Sequence, residues 1–463
     1  MNRVLWGAIY LLIVVNALLL GVYWVSDYLT GNGIDDSVLY QVVYGFDGLD
    51  HAGFLHLYAI GTLGLFAFAA LLILWHRSRF RQRLQSHWMV MVCLAFVGTL
   101  AFNPAPPQIY SVLKAATANE AHAIVRLPNG VELDFRKLYG FDQLKRAKDI
   151  RPKNLVYIYA ESLEKAFFDT ESFGDVLPQI RELSRAAIRF DNIFSPLGTT
   201  WTLGGMVGSQ CGVPLAAPVG QENQFENFQR FLPRASCLGD ALRHLGYDLR
   251  YLQGSVLSFA GNGKFYADHG FDNVMGRDEL QVPGESLGTW GRYDRDTLAS
   301  ALEQFRGAKA GGRPFGVFLA LVDMHPPSGF LSPGCPAASD GPQMLAVVSC
   351  VDSMIAQFIR AILREDPETV IVLSSDHPMM RNELPEAMFP EVRPNSFFIW
   401  NSSKALETPI LQSRLGSMFD VGPTVAEAMG LESGAIGLGV SLFKPRATLA
   451  ERAGGLQGLN EAV

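Results

Sequence analysis

Asn154-Leu-Val-Tyr-Ile-Tyr-Ala160 is an uncharged run of aromatic, β-branched and aliphatic residues. A short continuous apolar run of this kind predicts a strand buried on both faces, as in a parallel sheet. Two similar runs, Pro314-Phe-Gly-Val-Phe-Leu-Ala-Leu-Val322 and Thr369-Val-Ile-Val-Leu-Ser374, follow later in the chain. Helical patterns separate them, at residues 177–187, 237–245 and 351–363. Strands that alternate with helices predict an α/β fold with a mostly parallel sheet and flanking helices.

Acidic or imidazole side chains come directly after these strands: Glu161, His325, Asp376 and His377. Taken singly, an acid after a strand is typical of a helix cap, and a lone histidine of an ordinary hydrogen-bonded group. The carboxyl ends of parallel strands share one edge of a sheet, where ligands gather, so we expect the four side chains to converge. Two carboxylates, one imidazole and a hydroxyl would make a ligand set for Zn²⁺ or Mn²⁺.

The hydroxyl would come from the glycine-rich segment 195–214, which contains Thr199, Thr200 and Thr202 ahead of the pair Gly204-Gly205. Glycine permits the backbone angles of a turn that projects a side chain into a cleft. A threonine hydroxyl is a poor nucleophile unless a base or a metal activates it. Thr202 lies at a predicted helix start, where it is either an N-cap or a residue that faces bound phosphate. Spacing alone leaves the choice among the three threonines open.

The first 104 residues predict a membrane region with three transmembrane helices. Apolar runs cover residues 4–26, 53–75 and 88–104, in a chain that is 49% hydrophobic overall. A spanning helix needs about 20 apolar residues, a length that the first two runs reach easily. A cleaved signal peptide is the alternative for the first run, and the two runs that follow argue against it.

The loops of this region predict its orientation. The loop between the second and third runs contains four arginines: Arg77, Arg79, Arg81 and Arg83. The loop between the first and second runs contains five aspartates and no lysine or arginine. Cytoplasmic loops carry the excess of basic residues, so we expect a cytoplasmic N-terminus and an external domain after residue 104. The net charge of −7 and the lack of a basic tract argue against a nucleic-acid partner.

The remaining chain divides into three predicted parts. Residues 105–152 mix charged and apolar positions and predict a linker. Residues 153–445 contain the strands and the candidate site, and are therefore the expected catalytic domain. Residues 446–463 are rich in glycine, alanine and glutamate, which predicts a mobile tail.

Four of the five cysteines lie outside the predicted spans, and an even number there suggests two disulfides in an oxidising compartment. Of the three possible connectivities we favour pairing of chain neighbours, Cys211–Cys237 and Cys335–Cys350. Cys93 lies in the third apolar run and is expected to be free.

Several separated motifs resemble those of the phosphoglycerol transferase I family, which modifies osmoregulated periplasmic glucans and is related to lipoteichoic acid synthase and the phosphoethanolamine transferases. The motifs are Tyr157-Ile-Tyr-Ala-Glu-Ser162, Gly198-Thr-Thr-Trp-Thr202, Gly205-Met-Val-Gly-Ser-Gln-Cys-Gly-Val-Pro-Leu215, Phe259-Ala-Gly261, His269-Gly-Phe-Asp272, Trp290-Gly-x-x-Asp294, Asp323-x-His325 and Ser374-Ser-Asp-His377. The resemblance implies an alkaline phosphatase/sulfatase-like fold.

The resemblance also implies residue roles. Glu161, Asp376 and His377 would bind one divalent metal, Mn²⁺ first and Zn²⁺ or Mg²⁺ as alternatives. Thr202 would be both a metal ligand and the nucleophile, with Thr199 as the fallback. His325 would contact the phosphate or protonate the leaving alkoxide. The phosphoglycerol donor would be phosphatidylglycerol, and the acceptor a periplasmic glucan, at the inner membrane of a bacterium.

Head-group contacts are expected from Asn262, Lys264, Trp290 and Arg292. Relatives often carry arginine or lysine at the position that matches Asn262, and Lys264 is the candidate substitute here. The alternative activity is transfer of phosphoethanolamine or another head group to lipid A or another envelope glycan.

Three other readings are disfavoured. A sulfatase needs Cys/Ser-x-Pro-x-Arg, which Cys211-Gly-Val-Pro-Leu215 does not match. A serine hydrolase at Ser209 would lack the Gly-x-Ser-x-Gly elbow. A non-catalytic membrane sensor would have no use for the candidate site residues.

Overall fold

The computed structural model describes residues 3–30, 102–117, 124–141, 144–146, 153–216, 229–280, 287–402 and 411–463, apart from positions 289, 339 and 433, together with isolated positions between 33 and 70. The chain forms two compact units. The first comprises residues 1–39 and 49–119, and the second residues 40–48 and 120–463.

The described part of the first unit contains two helices, α1 (Arg3–Thr30) and α2 (Ala105–Thr117). The Asn103 side-chain amide donates to Asn16 Oδ1 at 2.8 Å, and the Ile34 amide donates to Gln108 Oε1 at 2.8 Å. The first bond joins the residues before α2 to α1, and the second joins α2 to the segment that follows α1. The predicted span 4–26 lies within α1. The spans predicted at 53–75 and 88–104 fall almost entirely outside the described residues.

The second unit is built on an eight-stranded sheet in the order β15-β6-β14-β13-β5-β12-β8-β9. The five strands from β13 to β9 run parallel, whereas β14 is antiparallel to both β13 and β6. The strands of the chain are β1 (Ile124–Arg126), β2 (Glu132–Asp134), β3 (Gly140–Phe141), β4 (Lys145–Arg146), β5 (Leu155–Ala160), β6 (Ile188–Phe190), β7 (Ile193–Phe194), β8 (Asp248–Gln253), β9 (Asn273–Met275), β10 (Leu287–Gly288), β11 (Gly291–Arg292), β12 (Phe315–Ala320), β13 (Val370–Ser375), β14 (Phe397–Trp400), β15 (Leu411–Gln412), β16 (Gly416–Ser417), β17 (Leu431–Glu432), β18 (Ala435–Gly437) and β19 (Gly439–Val440). The predicted mostly parallel α/β fold is confirmed.

The three strands predicted from their apolar runs are the central strands β5, β12 and β13. Every residue in each of them is buried. Helices cover both faces of the sheet, which explains why these strands are apolar on both sides. The helices of this unit are α3 (Phe135–Leu138), α4 (Thr170–Phe173), α5 (Pro178–Leu183), α6 (Thr202–Cys211), α7 (Leu238–His244), α8 (Asn262–Asp268), α9 (Asp294–Ala310), α10 (Gln343–Glu365), α11 (Val421–Ala428), α12 (Leu449–Ala453) and α13 (Leu456–Ala462).

Two hydrophobic cores lie on opposite faces of the sheet. One contains Met206 of α6, Leu242 of α7 and Val425 of α11. The other contains Phe305 of α9 and Ile355 of α10. Among the described residues, α10 is the one helix long and apolar enough to cross a membrane, but 56% of its apolar window is buried inside the protein. We therefore identify α10 as a core helix of the second unit.

The expected boundaries differ from the structure in two places. The predicted linker 105–152 is divided between the units, because α2 belongs to the first while β3 and β4 pair with β18 and β17 of the second. The predicted mobile tail 446–463 is wrong for its helical part. Helices α12 and α13 bury Leu449 and Leu459 in a small core with Phe419.

Candidate active site

The candidate site lies where β5 and β13 end side by side. Their register pairs Ala160 with Ser375, so the next residues, Glu161 and Asp376, are neighbours at the carboxyl edge. Both carboxylates and the following His377 are buried. The ligand atoms of Glu161, Asp376 and His377 lie within 4.8 Å of one another. The structure therefore brings together the three metal ligands expected from the sequence.

The electrostatics of this trio fit a bound cation. Burial raises the pKa of Glu161, and burial together with Glu161 raises the pKa of Asp376 to about 6. Burial alone would lower the pKa of His377, but the carboxylates of Asp376 and Glu161 outweigh it and raise that pKa. Two buried carboxylates that share one imidazole are short of positive charge, which a divalent metal would supply.

Neighbouring groups orient the ligands. The Nδ1 atom of His377 donates to the Pro378 carbonyl at 2.8 Å, so Nε2 is the ring nitrogen that would be available to a metal. Ser162 serves both carboxylates: its amide donates to Asp376 Oδ1 at 3.0 Å, and its hydroxyl donates to Glu161 Oε1 at 2.7 Å. Ser162 has a φ of 54°, a left-handed conformation that costs a non-glycine residue free energy and often marks functional sites.

Thr202 is the threonine that the structure places at these ligands. Its Oγ1 lies 3.4 Å from His377 Nε2, and Thr202 lines the same small cleft as Glu161. Thr202 is the first residue of α6, and the N-cap position is occupied by Trp201. The Thr202 hydroxyl therefore does not cap the helix. Thr199 is fully buried, and its hydroxyl donates to the Pro196 carbonyl at 2.7 Å. The geometry therefore favours Thr202 over Thr199.

Close packing of α6 on the end of β13 explains the glycines after Thr202. A Cβ atom at Gly205 would lie 1.9 Å from the carbonyl oxygen of Asp376. At Gly204 it would lie 2.7 Å from the carbonyl oxygen of Gly198. Glycine at both positions allows the helix start to approach the metal ligands, because backbone atoms cannot move aside for a side chain.

His325 follows β12, on the other side of β5, and lines the cleft with Trp290. The two rings lie 4.2 Å apart between centroids. The Nδ1 atom of His325 donates to the Pro326 carbonyl at 2.9 Å, and burial lowers the pKa of the ring to about 4. His325 is therefore a neutral imidazole whose Nε2 carries no proton at pH 7.

The four expected head-group residues separate into two pairs. Asn262 and Trp290 line the cleft. Lys264 instead pairs with Asp268, with Nζ at 2.9 Å from the carboxylate. Arg292 is buried, and its Nε donates to the Arg277 carbonyl at 2.8 Å. Neither Lys264 nor Arg292 is among the residues that line the cleft, so the structure does not support Lys264 as a substitute cation at position 262.

Both predicted disulfides are confirmed, Cys211–Cys237 and Cys335–Cys350. The first joins the C-terminal end of α6 to the residue that precedes α7, and so fixes the end of α6 that lies away from Thr202. Sequence reasoning missed the role of Ser162, although it lies in the motif Tyr157-Ile-Tyr-Ala-Glu-Ser162. Its position directly after a strand end was the available signal.

Comparisons with known proteins agree with this geometry. Residues 153–431 match the sulfatase family, and residues 1–121 match the N-terminal domain of phosphoglycerol transferase I. The chain is 36% identical over 431 residues to a phosphoglycerol transferase I from Salmonella choleraesuis, and 35% identical over 430 residues to one from Escherichia coli. Each alignment covers 90% of this chain and 54% of the relative. The chain thus spans about half the length of these curated relatives, and the expected resemblance to them is confirmed.

Solved structures share the fold. The lipoteichoic acid synthase LtaP from Listeria monocytogenes aligns with a TM-score of 0.55 and 18% identity, over 66% of this chain and 80% of that one. A protein of the alkaline phosphatase superfamily from Vibrio parahaemolyticus aligns with a TM-score of 0.54 and 20% identity, over 72% and 77%. The match at residues 153–431 covers more than half of the sequence, and by it the chain belongs to the sulfatase family.

Proposed function

We propose that this protein transfers phosphoglycerol from phosphatidylglycerol to a glucan through a covalent intermediate on Thr202. The observation that carries the proposal is the hydroxyl of Thr202 beside three buried ligand side chains, at the mouth of a cleft that also contains His325. The similarity to phosphoglycerol transferase I over 90% of the chain supports phosphoglycerol as the transferred group.

Glu161, Asp376, His377 and Thr202 would hold one divalent metal. The set is rich in oxygen and contains one imidazole, which suits Mn²⁺, with Zn²⁺ and Mg²⁺ as the alternatives. When bound, the metal lowers the pKa of a coordinated hydroxyl and neutralises charge on phosphate oxygens.

In the first half-reaction, Thr202 Oγ1 attacks the phosphorus of the lipid, and the phosphorus–oxygen bond to diacylglycerol breaks. The proton lost from the Thr202 hydroxyl is balanced by the proton that the leaving alkoxide takes up, so diacylglycerol departs and phosphoglycerol stays bonded to Thr202. In the second half-reaction, a sugar hydroxyl attacks that phosphorus and the bond to Thr202 breaks. The sugar hydroxyl loses its proton and the Thr202 oxygen regains one, which restores the free threonine. The neutral His325 suits the second step, because its free Nε2 can accept the proton of the incoming hydroxyl.

We place the reaction at the outer face of a bacterial inner membrane, with a cytoplasmic N-terminus and a periplasmic catalytic unit. Between residues 11 and 27, helix α1 exposes apolar side chains, including Leu11, Val15 and Trp24, which fits a lipid environment. The two disulfides fit an oxidising compartment. A membrane anchor keeps the cleft near a lipid donor.

The test is a donor assay with the full chain in vesicles, using head-group-labelled phosphatidylglycerol or phosphatidylethanolamine. We expect label from phosphatidylglycerol on the glucan, and release of diacylglycerol. Label from phosphatidylethanolamine on lipid A would replace this proposal by the alternative activity.

The nucleophile is tested in the same assay. Thr202→Ala should reduce transfer by roughly a thousandfold or more, since it removes the attacking oxygen. Thr199→Ala is the matched control and should retain most activity, because the Thr199 hydroxyl is bonded within its turn. Full activity of Thr202→Ala would contradict the mechanism.

A further inference from the structure

The wall of the cleft contains a hydrogen-bond acceptor that the proposed chemistry does not use. Asn262 is 2% exposed and lines the cleft together with Thr202 and Trp290. Its Nδ2 donates to Gln253 Oε1 at 3.2 Å. Its Oδ1 is buried and has no hydrogen-bond partner among the described residues. Buried polar atoms are usually satisfied, so an unpartnered one in a cleft points to a ligand.

The orientation of the Asn262 amide follows from its neighbour. Gln253 Nε2 faces two carbonyl oxygens, those of Val256 at 2.6 Å and Ser255 at 3.4 Å. Carbonyl oxygens only accept, so the Gln253 nitrogen must point at them and its Oε1 must point away. That Oε1 also accepts from the Tyr251 hydroxyl at 2.8 Å. Asn262 must therefore offer its nitrogen to Gln253, which leaves its oxygen for a ligand.

The surroundings indicate what kind of ligand this oxygen receives. A neutral amide oxygen accepts from a hydroxyl and repels an anionic oxygen. Phe259 and Trp290, whose rings meet edge to face with centroids 5.4 Å apart, supply apolar surface in the same cleft. An acceptor next to aromatic rings suits an aliphatic group that carries hydroxyls.

We propose that Asn262 Oδ1 binds a hydroxyl of a polyol held next to the phosphate, and so favours hydroxyl-bearing groups over anionic groups and over groups that have no donor. This inference rests on the proposed function only in placing the phosphate at Thr202. The hydroxyl has two possible sources, the glycerol of the donor and the sugar of the acceptor.

The first experiment measures binding without turnover. In the full-length Thr202→Ala protein loaded with Mn²⁺, calorimetry compares glycerol 3-phosphate, ethanolamine phosphate and methyl phosphate, which share the phosphate monoester. We expect glycerol 3-phosphate to bind about three- to tenfold more tightly than methyl phosphate, the contribution of one hydrogen bond. Adding Asn262→Leu should abolish this preference. Equal binding of the two esters without the leucine substitution would overturn the proposal.

Two further variants sharpen the result. Asn262→Asp places a carboxylate at the same position and should shift the preference from glycerol 3-phosphate towards ethanolamine phosphate, whose ammonium group it can pair. Asn273→Leu is the matched control, because Asn273 is exposed on β9, and it should leave every preference unchanged. Melting temperature and metal content of each variant check the fold. An unchanged preference in a folded Asn262→Leu protein would also overturn the proposal.

The second experiment separates the two sources. With Thr202 restored, single-turnover assays follow formation of the covalent adduct and its onward transfer. A hydroxyl from the donor predicts that Asn262→Leu slows adduct formation, whereas a hydroxyl from the acceptor predicts that it slows only onward transfer. Unchanged rates in both steps would contradict the proposal. A protein that forms no adduct from phosphatidylglycerol would refute the proposed function, while the binding comparison still decides the role of Asn262.

Discussion

Two clusters in the second unit contain similar acidic and histidine residues. They differ in whether the lone pairs of their potential ligand atoms already accept hydrogen bonds from the protein. One is the candidate metal site, Glu161, Asp376 and His377, and the other is Cys237, Asp240 and His269. In each cluster the potential ligand atoms lie within 4.8 Å of one another. Residue type and proximity alone would therefore identify both as metal sites.

In the second cluster the protein itself uses the ligand atoms. Cys237 is bonded to Cys211 and offers no thiolate. His269 has Nδ1 2.7 Å from Asp240 Oδ2 and Nε2 3.0 Å from the Phe231 carbonyl oxygen, so both ring nitrogens have protein partners. Asp240 Oδ2 also accepts from the amide of Cys237 at 2.9 Å. This cluster fastens the start of α7 and has no nitrogen left for a metal.

In the first cluster the Ser162 hydroxyl donates to Glu161 Oε1, whereas His377 Nε2 and Asp376 Oδ2 face each other and the Thr202 hydroxyl. His377 Nε2 lies 3.5 Å from Glu161 Oε1 and 3.4 Å from Asp376 Oδ2, with Thr202 Oγ1 also at 3.4 Å. The comparison teaches that free lone pairs, rather than residue composition, distinguish a metal site from a structural cluster. Three substitutions test this rule, in order of decreasing effect.

The largest effect is expected from Asp376→Asn. Loss of one ligand charge should remove the bound metal and reduce transfer by roughly a thousandfold or more. The metal-free protein should not lose stability, because the change relieves repulsion between two buried carboxylates. Elemental analysis, the transfer assay and urea denaturation in chelator measure the three quantities. An Asp376→Asn protein that keeps one tightly bound divalent ion would contradict the assignment.

Asp240→Asn should have the opposite profile. It weakens the bond between the partly exposed Asp240 carboxylate and the buried His269, and should lower the free energy of unfolding by about 3 kcal/mol, the upper end for a hydrogen bond to a charged group. Metal content and activity per folded molecule should remain at the wild-type level. Urea denaturation and elemental analysis provide the comparison.

The control for this second substitution is Asp278→Asn. Asp278 forms an exposed ion pair with Arg277, so its loss should change stability little. A loss of metal in Asp240→Asn would show that the second cluster also binds an ion, and the rule would be wrong.

The sequence predicted the centre of the fold well, for a physical reason. Strands β5, β12 and β13 are buried on both faces, so their runs are continuously apolar and easily recognised. Many outer strands have two residues, such as β16 and β17, and no pattern of that length is specific. Their pairing depends on long-range contacts that a single sequence does not encode locally.

The sequence predicted those site residues that come directly after a strand of the parallel sheet. Glu161 and Asp376 meet because adjacent parallel strands end in register. The roles of Ser162 and Gln253 depend on the directions of backbone and side-chain bonds, which spacing does not reveal. Spacing also failed to predict the position of the Lys264 ammonium group. It forms an ion pair with Asp268, one helical turn away, and so does not line the cleft.

The C-terminal segment 446–463 contains helix-end motifs that its glycine and alanine content did not suggest. Thr448 and Glu451 form a capping box, and Gly454 ends α12 in a left-handed conformation. Both are sequence signatures of helix ends. The small residues nearby suggested mobility, but Leu449 and Leu459 are buried in a shared core. The local pattern was therefore more informative than the glycine and alanine content.

The smallest effect is expected at a third acidic group, which has two carboxylates and no imidazole. Asp294 Oδ1 accepts from the Val322 amide at 2.7 Å, while Asp323 accepts from the Asp294 amide at 3.1 Å and from the Ser332 hydroxyl at 2.5 Å. Burial raises the pKa of Asp323 to about 7 and that of Asp294 well above its usual value. With three of the four oxygens engaged by protein donors, the rule predicts that this pair holds a proton rather than a metal.

Asp323→Asn tests that prediction through pH. The folded-state pKa of Asp323 lies above the unfolded value of about 4, so its favourable contribution is present at low pH and lost as the pH rises from about 4 to about 7. Asparagine does not titrate, so the wild-type protein should lose about 2 kcal/mol of stability relative to the variant between pH 5 and pH 7. Urea denaturation across this range measures the difference. Bound metal should stay the same in both proteins. A pH-independent difference in stability, or a metal ion lost with Asp323, would show that this acidic pair does not follow the rule drawn from the other two clusters.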